Sequence, residues 1–249
     1  MLNIIRSFNY FHYKNWRFTY PVSVLILLLI MSDIAFIVVH IAYMFDLVHH
    51  QYFSLESDRG YGEIFQYLKF FWIICLLSIF LTKVKASVIL SWIFIFAYML
   101  IDDSLSIHER VGSSFVELLN LRPALQLRAQ DYGELLVSMT AGIFLFGFLF
   151  VTHKKSSSDL KDVSRRLLFL AAGIIFFGVA VDMIHSMLPL GKEIFGLIED
   201  AGEMIFASLS LGYCVSIILD RNFKAVPKSL SDTSMPKYER RCIHRRATD

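Results

Sequence analysis

The chain has 249 residues, a length that by itself suits one or two soluble domains. Hydrophobic residues make up 56% of it and aromatic residues 15%, but charged residues only 18%, against roughly 25% in soluble domains. This composition excludes an ordinary soluble protein and predicts an integral membrane protein. The formal net charge of +2 says little, and no DNA-binding motif occurs, so no nucleic-acid partner is expected.

Six apolar stretches are long enough to form transmembrane helices, each of which needs about 20 residues. They cover residues 21–44, 64–82, 87–107, 134–152, 167–189 and 195–219. Backbone polar groups in lipid must be paired locally, and the alternating pattern of a membrane barrel is absent, so these stretches predict helices. The expected fold is all-α: a polytopic membrane bundle in which six transmembrane helices occupy residues 21–219.

The basic residues indicate the orientation of this bundle. Of the 24 Lys and Arg residues, 18 lie in the N-terminal segment, two of the loops and the C-terminal tail, which share one side of the predicted membrane. Because positive charge favours the cytoplasmic side, both termini are predicted to be cytoplasmic and three loops to face outward. We therefore expect a multi-pass protein of the plasma membrane, which in a bacterium is the inner membrane.

Three segments outside the predicted spans have characters of their own. Residues 1–20 combine aromatic and basic side chains and are expected to form a cytoplasmic interfacial segment. The outer loop 108–133 has an amphipathic pattern, and the basic tail 220–249 is expected to be flexible and cytoplasmic. Membrane lipid is one expected partner, and a protein partner could bind loop 108–133 or the tail. The pattern predicts no oligomeric state.

Acidic residues inside the spans are the most informative feature, since each costs about 2.5–3.5 kcal/mol at the membrane centre. Seven occur in four of the six spans, all at or beyond the midplane toward the predicted outer face: Asp33, Asp102, Asp103, Asp182, Glu199, Asp200 and Glu203. The spans offer almost no Lys or Arg, and Lys69 is expected near an outer end. Some of these carboxyl groups must therefore be protonated, or a cation must be bound.

The spacing of these acids suggests ligands for a metal ion. Residues three, four or seven apart share a helix face, as do Asp182 with His185, Glu199 with Glu203, Asp33 with His40, and Asp102 with Ser106 and Glu109. Carboxylate together with imidazole suits Zn, Fe or Mn better than Mg or Ca. We predict a divalent metal ion, Zn or Fe/Mn, with candidate ligands His40, Asp102, His108, Asp182, His185 and Glu199.

A metal ion at this position would lower the pKa of bound water to about 7 and so produce a nucleophile. A nearby carboxylate could act as the general base, and the candidate catalytic residues are Glu203, Glu109 and Asp103. The first hypothesis is therefore a metal-dependent hydrolase that acts on a lipid or lipid-linked substrate entering from the membrane.

The combination of His40, His108 and His185 with Asp102 or Asp182 resembles the alkaline-ceramidase and adiponectin-receptor type of membrane hydrolase, which uses three His, an Asp and a Ser. The resemblance implies metal-dependent hydrolysis. It covers scattered single residues without a shared motif. That superfamily has seven spans and a pair of His in the last one, where this chain has Glu199, Asp200 and Glu203.

Two other functions are compatible with the same pattern. A proton- or cation-coupled transporter or sensor also needs intramembrane acids that are open to one side, although the cytoplasmic halves of these spans are almost uniformly apolar. A non-catalytic membrane subunit would use the acids as a structural ion site and its loops or tail to bind a partner. Single acids also have ordinary explanations, such as a helix end that meets water or a hydrogen bond between helices.

Overall fold

The computed structural model describes residues 19–124, 126–187 and 192–220, and within these ranges it leaves the side chains of His185 and Lys192 undescribed. The described ranges contain helices and turns but no β-strand, apart from one isolated bridge between Ala124 and Leu127. The predicted interfacial segment 1–20 and the predicted tail 220–249 fall almost entirely outside the described residues.

Eight α-helices account for most of the described chain. They are α1 (Tyr20–Met44), α2 (Tyr61–Val84), α3 (Ser87–Leu105), α4 (Ile107–Leu119), α5 (Ala129–Lys154), α6 (Ser158–Ile175), α7 (Asp182–Met187) and α8 (Lys192–Leu219). A short 3-10 helix, Gln51–Phe53, lies between α1 and α2. A π-helical segment, Phe176–Val181, joins α6 directly to α7, so these three elements form one continuous helical run.

In the described part of the chain, six helical segments are long and apolar enough to cross a membrane, and Ser158–Ile184 counts as one of them. This finding confirms the predicted all-helical, multi-pass bundle. More than half of the apolar window of the last segment is buried, against a third or less in the other five, so α8 is the central helix. The predicted cytoplasmic placement of both termini and the plasma membrane stay predictions.

The turn between α3 and α4 differs from the expected pattern. Ser106 has a φ of 48°, in the left-handed region, and this residue ends α3. The predicted stripe of Asp102, Ser106 and Glu109 on one continuous helix is therefore wrong. Instead, Asp102 Oδ1 accepts a hydrogen bond from the backbone N–H of His108 at 2.9 Å, which satisfies one of the free N–H groups at the start of α4.

Loop 108–133 is more regular than the sequence suggests. Its first part is α4, whose apolar side chains Val111, Leu118 and Leu119 are exposed, as the amphipathic pattern predicts for a helix at a membrane interface. Its last residues already belong to α5, because the Asp131 carboxylate accepts a hydrogen bond from the backbone N–H of Arg128 at 2.7 Å and so caps that helix.

Close approach of two glycines packs α4 against the beginning of α5. A Cβ added at Gly133 would collide with the backbone of Gly112, and one added at Gly112 would lie 2.9 Å from the backbone nitrogen of Glu134. Only glycine lets the two backbones come so near. This contact holds α4 across the end of the bundle where α2, α5 and α8 begin, which is the end that carries the candidate site.

The apolar core occupies the other part of the bundle. Phe70, Ile73, Leu77 and Phe80 project from successive turns of α2, and none of them has any exposed surface. They pack in one cluster with residues of α3, α6 and α8, including the fully buried Trp92. Among the buried polar side chains at this end, Ser91, Thr152 and Ser164 are hydrogen-bonded to one another or to Trp92.

Candidate functional site

A cavity of about 720 Å³ opens at the end of the bundle where α2, α5 and α8 begin. We call it the acidic cup, because its walls include the carboxylates of Asp103, Glu109, Asp182, Glu199, Asp200 and Glu203. Four further carboxylates also line it, those of Glu56, Asp58, Glu63 and Glu134. The basic side chains on its walls are His108, Arg110 and Arg128, so the lining is strongly negative.

Six of the nine predicted site residues line the acidic cup: Asp103, His108, Glu109, Asp182, Glu199 and Glu203. Asp102 lines a second, adjoining pocket, and the side chain of His185 lies outside the described part. His40 is not among the lining residues of either cavity. The catalytic and metal-binding roles of all nine residues stay predictions.

His40 has a structural environment that the sequence does not reveal. It is 2% exposed, and its Nδ1 atom accepts a hydrogen bond of 3.0 Å from the backbone N–H of Leu55. The hydroxyl group of Ser54 lies 3.4 Å from the same nitrogen. His40 therefore holds the segment between α1 and α2 against α1. Its Nδ1 atom accepts a hydrogen bond there and is not free to bind a metal ion.

Lys69, which was expected near an outer end, is the ninth residue of α2 and is fully buried. Its Nζ atom lies 2.9 Å from Asp33 Oδ1, and it donates to the carbonyl oxygen of Met204 at 2.8 Å and to the hydroxyl group of Ser208 at 3.3 Å. Ser208 donates to Asp33 Oδ2 at 2.5 Å. This ion-pair network joins α1, α2 and α8 and gives Asp33 a basic partner that the sequence analysis did not assign to it.

Glu203 connects the acidic cup to both α2 and the π-helical segment. Its Oε2 atom accepts a hydrogen bond of 2.7 Å from Gln66 Nε2 on α2. Its Oε1 atom fills the space that any side chain at position 178 would need, and Gly178 belongs to the π-helical segment. Such local π-helix often occurs at functional sites. Sequence reasoning missed Gln66, although its position one turn before Lys69 places both polar groups on one helix face.

Asp102 and His108 form a pair beside the acidic cup. Asp102 Oδ2 lies 3.1 Å from His108 Nδ1, in addition to the backbone hydrogen bond to the same residue. This side-chain hydrogen bond raises the pKa of His108 to about 9, against the opposing effect of partial burial, and the charges of Asp102, Glu134 and Glu109 act in the same direction as the hydrogen bond. The charged form of His108 is therefore stabilised in the folded protein.

The raised pKa predicts a pH-dependent stability in protein freed of divalent cations by a chelator. Because the pKa of His108 is about 9 when folded and about 6.5 when unfolded, its stabilising effect is fully present below about pH 6.5 and is lost as the pH rises through 9. Thermal unfolding in detergent should show wild type more stable than His108→Gln at low pH, with the difference shrinking between these values. A difference that is constant with pH would contradict the assignment.

A second pocket of about 200 Å³ adjoins the acidic cup. The two cavities share six lining residues: Asp103, His108, Glu134, Gly178, Asp182 and Glu203. Away from this shared wall, the second pocket is lined mainly by apolar side chains of α3, α5 and α6, including Ile95, Leu145 and Ile174. We call it the apolar pocket. A polar cavity and an apolar one thus meet at Glu203.

The chemistry of the acidic cup suits a cation, but its side chains are spread around a wide space. Within the described residues, no group of three or more His, Cys, Asp or Glu side chains is already arranged to hold a metal ion. One carboxylate oxygen, Asp200 Oδ2, is buried without a hydrogen-bond partner in the described part of the chain. A metal ion would therefore have to draw several carboxylates inward.

The sequence from residue 21 to residue 217 matches a family described as "Domain of unknown function (DUF8692)". The match covers more than half of the chain, and the chain therefore belongs to this family. It runs from α1 to α8 and includes every residue that lines the acidic cup. Neither a curated protein nor a solved structure matches the chain.

Proposed function

We propose that this protein is a membrane hydrolase that binds a divalent cation in the acidic cup and acts on a lipid or lipid-linked substrate. The observation that supports it best is the meeting of the two cavities at Glu203, one lined by carboxylates and one mainly apolar. A substrate with a polar and an apolar part matches both. A soluble ion or metabolite would need only the first.

The charges of the acidic cup favour a bound cation. Ten carboxylates line it, and its basic side chains are two arginines and one histidine. Of these, Arg128 is paired with Asp131, with Nη2 2.6 Å from Oδ1, and His108 is paired with Asp102. Since like charges around one cavity repel one another, a divalent cation in the acidic cup would offset this repulsion.

The Asp102–His108 pair supports a metal ion in particular. Histidines that bind metals usually donate their other ring N–H to a carboxylate, which fixes the orientation of the ring. Asp102 is hydrogen-bonded to Nδ1, which leaves Nε2 as the nitrogen for a metal ion. Asp182 and Glu199 would provide oxygen ligands, and this proposal also makes Glu203, predicted above as a catalytic residue, a ligand. A mixed set of imidazole and carboxylate suits Zn, Fe or Mn. In this proposal Asp102 positions His108.

The proposed reaction is hydrolysis of an ester, amide or phosphoester bond in the polar part of the substrate. A bound cation would increase the acidity of a water molecule. Asp103 or Glu109 would accept a proton from the water as its oxygen forms a bond to the carbonyl carbon or phosphorus. The bond to the leaving oxygen or nitrogen then breaks, and the leaving group takes up the proton that Asp103 or Glu109 had accepted from the water.

Transport is less well supported by the structure. An ion that crossed the bundle would need polar groups beyond Asp33, Lys69 and Ser208. Toward the far end, α2 instead presents Ile73, Leu77 and Phe80, which are fully buried in the apolar core. Carriers usually place their ion site at helices that are interrupted at mid-membrane. Here α2 is helical from end to end, and the π-helical segment Phe176–Val181 continues directly into α7. The arrangement of these helices therefore favours a reaction in the acidic cup over transport through the bundle.

Cation binding can be tested with the matched variants Glu203→Gln and Glu117→Gln. Both remove one carboxylate from the same end of the bundle, but Glu117 is exposed on α4 and lines none of the described cavities mentioned above. Equilibrium dialysis of the purified protein against Zn²⁺ and Mn²⁺ should show saturable binding that Glu203→Gln weakens about tenfold or more and Glu117→Gln leaves unchanged. Equal affinity in all three proteins, or no saturable binding, would refute the proposed site.

Hydrolysis needs a separate measurement. Wild-type protein, loaded with the metal that binds best, would be incubated with a total membrane lipid extract, and the products would be analysed by mass spectrometry. We expect a lipid species to disappear and its two hydrolysis products to appear, with little or no product for Glu203→Gln or after addition of a chelator. If the protein binds metal but hydrolyses no lipid, the result would support the cation site and refute the proposed hydrolase activity.

A further inference from the structure

The apolar pocket extends far into the membrane-spanning part of the bundle. On α5 its lining residues run from Asp131 to Phe146, roughly 22 Å of helix at 1.5 Å per residue. Polar side chains line the end next to the acidic cup, and Leu145, Phe146 and Ile174 line the deeper part. The pocket therefore changes from polar to apolar with depth, as a membrane leaflet does.

We propose that the apolar pocket holds one hydrocarbon chain of a membrane amphiphile whose polar end lies in the acidic cup. The proposal rests on the proposed function for the reaction of the polar end. Binding of the hydrocarbon chain depends only on the apolar pocket. Its volume of about 200 Å³ is below the roughly 300–1,000 Å³ of pockets for drug-sized ligands, which suits part of a single chain.

Gly142 marks a part of the apolar pocket that has free space beside α5. This residue lines the apolar pocket on α5, and a Cβ added to it would meet no atom within 4 Å. The space beside it is therefore open, and a side chain at this position would occupy part of the pocket along α5.

Gly142 also offers a variant that narrows the pocket, because the first atom of an added side chain meets no neighbour within 4 Å. Gly142→Phe would place a ring in the open space, whereas Gly147→Phe would place the same ring on the same helix at an exposed position outside the pocket. Neither added Cβ meets an atom within 4 Å. If the larger side chain prevents folding, Gly142→Leu provides the same comparison with a smaller group.

Two photoreactive lipids distinguish the sources of the chain. One is a phosphatidylcholine with a diazirine in an acyl chain, and the other is a polyprenyl phosphate with a diazirine in its isoprenoid chain. Each would be incorporated in liposomes with the purified protein and activated by light, and labelled residues would be mapped by mass spectrometry. We expect at least one probe to label Leu145, Phe146 or Ile174 in wild type and in Gly147→Phe, with labelling at least about fivefold lower in Gly142→Phe.

Each outcome decides the proposal. Pocket labelling by the acyl probe or by the polyprenyl probe supports it and identifies the chain. Labelling that is equal in Gly142→Phe and Gly147→Phe, or confined to exposed residues such as Ile143 and Phe144, overturns it. Zn²⁺ and Mn²⁺ binding measured on the same samples separates the two proposals, because Gly142→Phe should leave cation binding intact. Pocket labelling without cation binding would support the chain site and refute the proposed function.

Discussion

Replacement of Lys69 by Met is expected to lower the free energy of unfolding by about 3–5 kcal/mol, the usual cost of removing one partner from a buried ion pair. Lys69 and Asp33 have no exposed side-chain surface, and Nζ lies 2.9 Å from Oδ1. Without the ammonium group, the Asp33 carboxylate would keep only the hydroxyl group of Ser208 as a partner among these contacts. The carbonyl oxygen of Met204 would also lose its Nζ donor.

Denaturation of the purified variants in detergent measures this effect. The exposed Lys155 provides the control, since Lys155→Met removes the same charge from a turn beyond α5 and should change stability very little. The double variant Asp33→Leu/Lys69→Met should recover most of the loss, because apolar residues can replace a buried ion pair at little cost. If Lys69→Met is no less stable than Lys155→Met, the network does not hold α1, α2 and α8 together.

The same network explains what the sequence could and could not predict. Apolar stretches of about 20 residues have few alternatives to a membrane-spanning helix, so the six spans follow from hydropathy alone. The ion pair of Lys69 with Asp33 could not be predicted in the same way. Its partner is remote in sequence, and the pattern along α2 carries no information about which face of α1 lies opposite.

The acidic cup was partly predictable for a geometric reason. Helices joined by short turns alternate in direction, so acids near the end of α3 and near the start of α8 must lie at the same end of the bundle. Contacts that depend on local backbone geometry were not predicted from the sequence. No Gly or Pro signals the turn at Ser106, which makes the Asp102–His108 pair possible, and no motif announces the π-helical segment around Gly178.

Gly178 is the position where a minimal change should have a large effect on the acidic cup. An added Cβ would occupy the place of Glu203 Oε1, so Gly178→Ala must displace either this carboxylate or the π-helical segment. Such overpacking usually costs about 1–3 kcal/mol. If Glu203 binds the cation, we also expect affinity for Zn²⁺ or Mn²⁺ to fall by about tenfold or more, as it does when the support of a metal ligand is lost.

The control and the rescue of this variant separate displacement of Glu203 from general damage. Gly147→Ala adds a methyl group to an exposed position with no atom within 4 Å and should preserve both stability and cation affinity. The double variant Gly178→Ala/Glu203→Asp shortens the colliding side chain by one methylene group, so unfolding measurements should show part of the lost stability restored. If the double variant is less stable than Gly178→Ala alone, the added methyl group strains the π-helical backbone and does not displace the carboxylate of Glu203. Such a result would contradict the expected displacement of Glu203.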